Sequence, residues 1–143
     1  MKKIFFTILA AASFLCLSWG PANPAWGYGD KPADTRQTNG SGIEVTFRAN
    51  LVNPAVKAAQ KSATVEVKVT GVNLIDPDTT DGKPHAGQAH LHYQLDGGPV
   101  VATTATRLSY HGLTPGQHKI VVSLAENDHT STGNQTTLTV QVP

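Results

Sequence analysis

The chain predicts an all-β domain, an antiparallel sandwich of about seven strands. Three observations carry this. From Gly42 onward, apolar residues recur at every second position, the period of half-buried strands. Turns containing Gly, Pro and Asp separate the runs. Only Pro54 to Ser62 has helix formers without breakers, and its leading Pro suits one short turn of helix.

The strands are expected in this order. Ile43, Val45 and Phe47 alternate with Glu44, Thr46 and Arg48, and Val65, Val67 and Val69 alternate with Thr64, Glu66 and Lys68. Leu91, Tyr93 and Leu95 alternate with His90, His92 and Gln94. Asp96-Gly97-Gly98-Pro99 is a strong turn signal, after which Val100 to Ala102 starts a return strand. Leu108 and Tyr110 mark the next strand, and Leu113-Thr114-Pro115-Gly116 the next turn. Ile120, Val122 and Leu124 form the apolar face of a strand beginning near Gln117, and Leu138, Val140 and Val142 close the chain. Seven short strands so spaced are the pattern of an immunoglobulin-like antiparallel β-sandwich.

The N-terminus reads differently. Met1-Lys2-Lys3 is a short cationic start, and Ile4 to Leu17 is apolar apart from Thr7 and Ser13. That run is short of the roughly 20 residues needed to span a bilayer. It has the length of a signal-peptide core, about 7–15 residues. Ala25 and Gly27 present small side chains for cleavage before Tyr28; the alternatives are a cut before Trp26 or an uncleaved anchor. Leu15 argues against lipid attachment at Cys16, where a small residue is required. The expected organisation is a signal peptide over 1–27, a flexible polar leader over 28–41 and an immunoglobulin-like domain over 42–143. The implied location is the periplasm or the outside of a bacterial cell, with no membrane span after cleavage.

Cleavage before Tyr28 removes the only cysteine, Cys16, the only methionine, Met1, and both tryptophans, Trp19 and Trp26. The exported domain has no disulfide and no sulfur ligand. Losing Lys2 and Lys3 takes 11 basic residues to 9 against 10 acidic ones, a net charge of −1 with neutral histidines. No basic patch stands out, so nucleic acid is not an expected partner.

Six histidines remain: His85, His90, His92, His111, His118 and His129. The sharpest signal is His90-Leu91-His92, because residues two apart on a strand point to one side and can chelate one ion. A third ligand must come from elsewhere, either His129 in Asn127-Asp128-His129 or His85. The competing reading makes His90 and His92 the solvated face of a strand. His118 shares parity with Ile120, Val122 and Leu124, so it is expected to cap the core edge and hydrogen-bond the turn. It could join the other histidines only at a strand end or across a bulge. With no sulfur donor, blue-copper and thioether copper(I) sites are excluded, and imidazole with oxygen points to copper(II) or zinc.

Other motifs carry less. Asp76-Pro77-Asp78-Thr79-Thr80-Asp81-Gly82 departs from the calcium-loop pattern, since the twelfth position from Asp76 is Gly87 rather than Glu; an acidic turn is expected. No Gly-x-Ser-x-Gly or phosphate-binding Gly-rich loop is present. No catalytic constellation is legible.

The stretch Gly87-Gln88-Ala89-His90-Leu91-His92-Tyr93-Gln94-Leu95-Asp96-Gly97, the segment Leu113 to Leu124 with its Pro115-Gly116-Gln117-His118 turn, and Asn127-Asp128-His129 together carry a resemblance. They are similar to an uncharacterised family of small bacterial periplasmic domains with an immunoglobulin-like sandwich. The likeness covers Gly87 to His129. It implies the fold and no activity. His-x-His on a sandwich also resembles copper–zinc superoxide dismutase, but that enzyme's disulfide and zinc loop are missing here.

Two functional readings stand at this point. One is a non-catalytic metal-binding domain, with His90 and His92 as core ligands. The other is a structural or interaction module that binds a protein or glycan partner without metal. The low aromatic content counts against a stacking glycan site.

Overall fold

The computed structural model describes residues 35–38 and 44–143. The expected signal peptide, Cys16 and the rest of the leader lie outside the described residues.

Among the described residues there are nine strands: β1 Thr35–Thr38, β2 Glu44–Leu51, β3 Ser62–Thr70, β4 Asn73–Leu74, β5 Gln88–Leu95, β6 Val100–Thr103, β7 Arg107–His111, β8 Gly116–Ala125 and β9 Ser131–Val142. One sheet has the order β1-β2-β3-β7; the other runs β4-β5-β8-β9, with β6 also paired to β5. All pairings are antiparallel except the short parallel contact of β4 with β5. The all-β sandwich expected from the alternation is the fold that forms.

The alternation also sets the core. Val45, Phe47, Ala49, Val65 and Val67 from one sheet meet Leu91, Tyr93, Ile120, Val122, Leu124, Leu138, Val140 and Val142 from the other. Burial of this face supplies most of the driving force for a domain without a disulfide. The one α-helix among the described residues, α1 Pro54–Ala59, starts with its Pro at the first turn and buries Ala58. The turn after β5 takes the two-residue hairpin form. Asp96 and Gly97 both have positive φ, 50° and 71°, and the Gly98 N–H donates to Leu95 O at 2.8 Å. Asp-Gly is the pair that tolerates this geometry.

Two strands escape the sequence pattern. Thr35–Thr38, assigned above to a flexible leader, pairs with β2 from Thr35↔Phe47 to Thr38↔Glu44; that part of the leader is corrected to a strand. Thr-Arg-Gln-Thr has no apolar alternation to announce it, and backbone pairing alone defines it. β4 is two residues long, too short to show a period. The acidic segment forms a turn around a short 3-10 helix, Pro77–Thr79, with Asp76 Oδ1 accepting from the Asp78 N–H. No helix among the described residues is long and apolar enough to cross a membrane.

Candidate metal centre

The site is built from the outer face of β5 and the hairpin joining β8 to β9. Leu91 and Tyr93 of β5 point into the core and are fully buried. The pleat therefore sends His90 and His92 to the opposite face together. In the β5–β8 register, His90 lies opposite Ala125 and His92 opposite Ser123. β8 ends at Ala125, so the hairpin loop Glu126 to Thr130 begins beside His90.

That loop brings back a third imidazole. The Glu126 N–H donates to Thr130 O at 2.9 Å, and the His129 N–H to Glu126 O at 2.8 Å. The loop closes with His129 in the left-handed region, φ 65°. Asp128 Oδ1 accepts from the Thr130 N–H at 2.9 Å and from the Thr130 hydroxyl. A bulge between β8 and β9 at Ser123/Ala125 precedes the loop, and the Thr132 hydroxyl donates across it to Leu124 O.

The three rings meet nitrogen to nitrogen. His90 Nε2 is 2.8 Å from His92 Nε2 and 3.1 Å from His129 Nδ1, and the last two are 3.2 Å apart. His90, His92 and His129 form the one group of three or more potential ligands found among the described residues. His90 is completely buried, His92 half-buried and His129 exposed. His90 therefore does not lie on a solvated strand face.

Three mutual contacts cannot all be hydrogen bonds between neutral rings. Each nitrogen carries at most one proton, and a neutral imidazole has one donor and one acceptor nitrogen. Protonating His90 and His92 is opposed by their surroundings. Burial, and then the neighbouring His92 and His129, push the His90 pKa down from 6.5 to about 4. Burial and then His129 lower that of His92. Neutral imidazole is the form that binds a metal, and the three ring nitrogens lie close enough together to hold one. Zinc–imidazole bonds are about 2.0–2.1 Å. Sides of 2.8–3.2 Å are spans that three bonds of that length to one ion could bridge, with His90, His92 and His129 as the residues that would hold it.

A buried clamp supports the loop. Continuing the β5–β8 register two residues beyond His90↔Ala125 sets Gln88 opposite Asn127. The Asn127 Nδ2 donates to Gln88 Oε1 at 2.8 Å, and Asn127 is 1% exposed. Asn127 Oδ1 and His90 Nδ1 are both buried without a protein hydrogen-bond partner. A metal-bound imidazole needs an acceptor for its second nitrogen, directly or through water. Sequence reasoning did not single out Asn127 or Gln88, although each lies two residues from a histidine it did name. For Gln88 the signal was its shared parity with His90 on β5; Asn127 lies in the hairpin loop, which no local period places.

The other two candidate ligands lie elsewhere. His85 Nε2 is 3.0 Å from Asp81 Oδ1 in the exposed acidic turn. His118 is on the core face of β8, as its parity requires. Its Nδ1 donates to Asp96 Oδ2 at 2.6 Å and its Nε2 to Thr114 O at 2.8 Å. Two acceptors demand a doubly protonated ring, so the Asp96 hydrogen bond, followed by the Thr114 carbonyl, raises the His118 pKa. The same bond, with the Lys119 N–H, lowers that of Asp96. His118 ties the β5–β6 turn to the start of β8 and has no free nitrogen to offer an ion.

No protein-family model and no curated protein matches the chain.

Proposed function

We propose that this is an exported, non-catalytic metal-binding domain that holds copper(II) or zinc through His90 Nε2, His92 Nε2 and His129 Nδ1. One observation carries the reading: three imidazole nitrogens converge within 2.8–3.2 Å on a rigid strand and its neighbouring hairpin. Export is supported by the cationic start and short apolar run of the first 17 residues, and it explains a ligand set free of sulfur. Membership of the immunoglobulin-like periplasmic family is supported by the Gly-x-x-His-x-His and Asn-Asp-His motifs, which supply all three nitrogens.

The test is metal analysis of protein isolated from the periplasm, followed by copper and zinc titration of the wild type and of His90→Ala/His92→Ala. One ion per chain in the wild type and none in the variant is expected. Equal uptake by both would sink the idea. N-terminal sequencing should begin at Tyr28.

A second reading, an interaction module, has its own support. Val100 and Val101 are consecutive valines, 51% and 41% exposed, on β6, whose one partner among the described residues is β5. An exposed apolar edge strand can accept a partner strand. A protein partner retained by metal-stripped domain and lost on Val101→Lys would favour it.

A further inference from the structure

The three nitrogens bind from one side only. Three nitrogens within 2.8–3.2 Å of one another would take one side of an ion and leave the opposite side open. Among the described residues no further histidine or carboxylate lies with the three nitrogens to close it. No carboxylate oxygen joins the three nitrogens. Asp128 is held by Thr130, Asp81 by Lys83 and His85, and Asp96 by His118 and Lys119. All six histidines of the chain lie in the described residues. Of the other three, His85 and His118 are engaged as above, and His111 is on β7 of the other sheet.

Burial is graded across the cluster, from His90 at 0% through His92 to exposed His129. The cluster therefore reaches solvent at the edge that His129 forms. Three neutral imidazoles also leave a divalent ion with its whole charge. A positive centre with an open position acidifies bound water and prefers an anion to a neutral ligand.

We propose that the loaded site is a receptor for one small anion, which enters the coordination position left open by His90, His92 and His129 and displaces bound water. The inference rests on the metal-binding reading, and goes beyond it by naming what the bound ion takes up. With no anion present, water would fill the position.

Copper(II)-loaded protein from the periplasm, titrated with sodium azide, tests this. Copper per chain is measured first, and again after azide is removed by dialysis. The expected result is one copper per chain, an azide-to-copper charge-transfer band that saturates at one azide per copper, and copper retained afterwards. His90→Ala/His92→Ala should lose the band. His129→Gly, altered only in an exposed loop, should lose at least tenfold in copper affinity and serves if the double variant does not fold. One copper per chain with a spectrum unmoved by azide overturns the open position and leaves the metal site standing. Copper stripped off by azide also overturns it, because the anion then competes with the histidines instead of joining them. Failure to retain copper at all overturns this proposal, and failure to retain zinc as well overturns the metal-binding reading with it.

Discussion

Acidifying the metal-free protein should destabilise it through His90 over a defined pH window. The ring titrates at about 4 in the fold against an ordinary 6.5. Above 6.5 neither folded nor unfolded chains hold a proton there, and stability is flat. Between 6.5 and about 4 the unfolded chain binds the proton and the folded one does not, so stability falls with pH. A gap of 2.5 units at about 1.4 kcal/mol each gives a loss of about 3 kcal/mol, large against a total of about 5–15 kcal/mol. His92, also lowered, adds in the same direction. The other shifted groups act outside this window. The raised pKa of His118 stabilises the fold fully below 6.5, and that contribution is lost only as pH rises through its folded value. The lowered pKa of Asp96 stabilises the fold above 3.8 and fades as pH falls through its folded value. Urea unfolding in chelator, at half-unit steps from pH 7 to 4, reads the effect. His90→Gln cannot titrate, so its profile should lose most of the slope whatever its stability at pH 7. Parallel profiles for the two proteins would refute the reasoning.

Three further predictions follow from named contacts. Asn127→Ala removes the bond to Gln88 and a buried, unpartnered acceptor, Asn127 Oδ1; metal affinity should fall about 10–100-fold in chelator competition, and an unchanged affinity would deny Asn127 a positioning role. His118→Ala breaks the bonds to Asp96 and Thr114 and should cost about 2–3 kcal/mol in chemical denaturation, while metal stoichiometry stays at the wild-type value. Gly71→Ala builds a Cβ 2.2 Å from Glu44 O at a φ of +85°, so the backbone must move; a loss above about 2 kcal/mol is expected, visible as a lower thermal midpoint.

How far the sequence could be read depended on whether a residue's partner was local. The period of two placed Leu91 and Tyr93 in the core and His90 and His92 on the other side, because strand pleat is a local rule. The same rule separated His118 from them. The pattern could not choose between His85 and His129 as third ligand, because that depends on which loop returns over β5. His85 is nearer in sequence, yet the β8–β9 hairpin delivers His129 across 37 residues from His92. Nor could alternation show His90 to be buried. Polar alternation marks a face turned from the core, and a loop laid over that face is a tertiary fact. β1 stayed hidden for the converse reason: its pairing uses backbone groups that every residue carries.

His129 offers the strictest test of the site, because fold and function make opposite demands on it. It sits at φ 65° in the next-to-last position of a hairpin loop, where a side chain costs about 1–2 kcal/mol relative to right-handed backbone. Glycine there removes the strain and costs about 0.4–1 kcal/mol in unfolded-chain entropy. The loop's hydrogen bonds between Glu126, His129 and Thr130 use backbone atoms, so they survive the change. His129→Gly should therefore leave the metal-free domain as stable as the wild type, or more stable by about 0.5–1 kcal/mol, while removing one of three ligands. Its thermal midpoint in chelator should equal or exceed the wild type's, and its midpoint rise on adding copper(II) should collapse. For the wild type, copper at 100 times Kd stabilises by about 2.7 kcal/mol. A variant that is less stable without metal by more than about 1 kcal/mol would mean that the imidazole is there to pack. The strained backbone would then have a structural cause, and the convergence of three nitrogens would lose its functional weight.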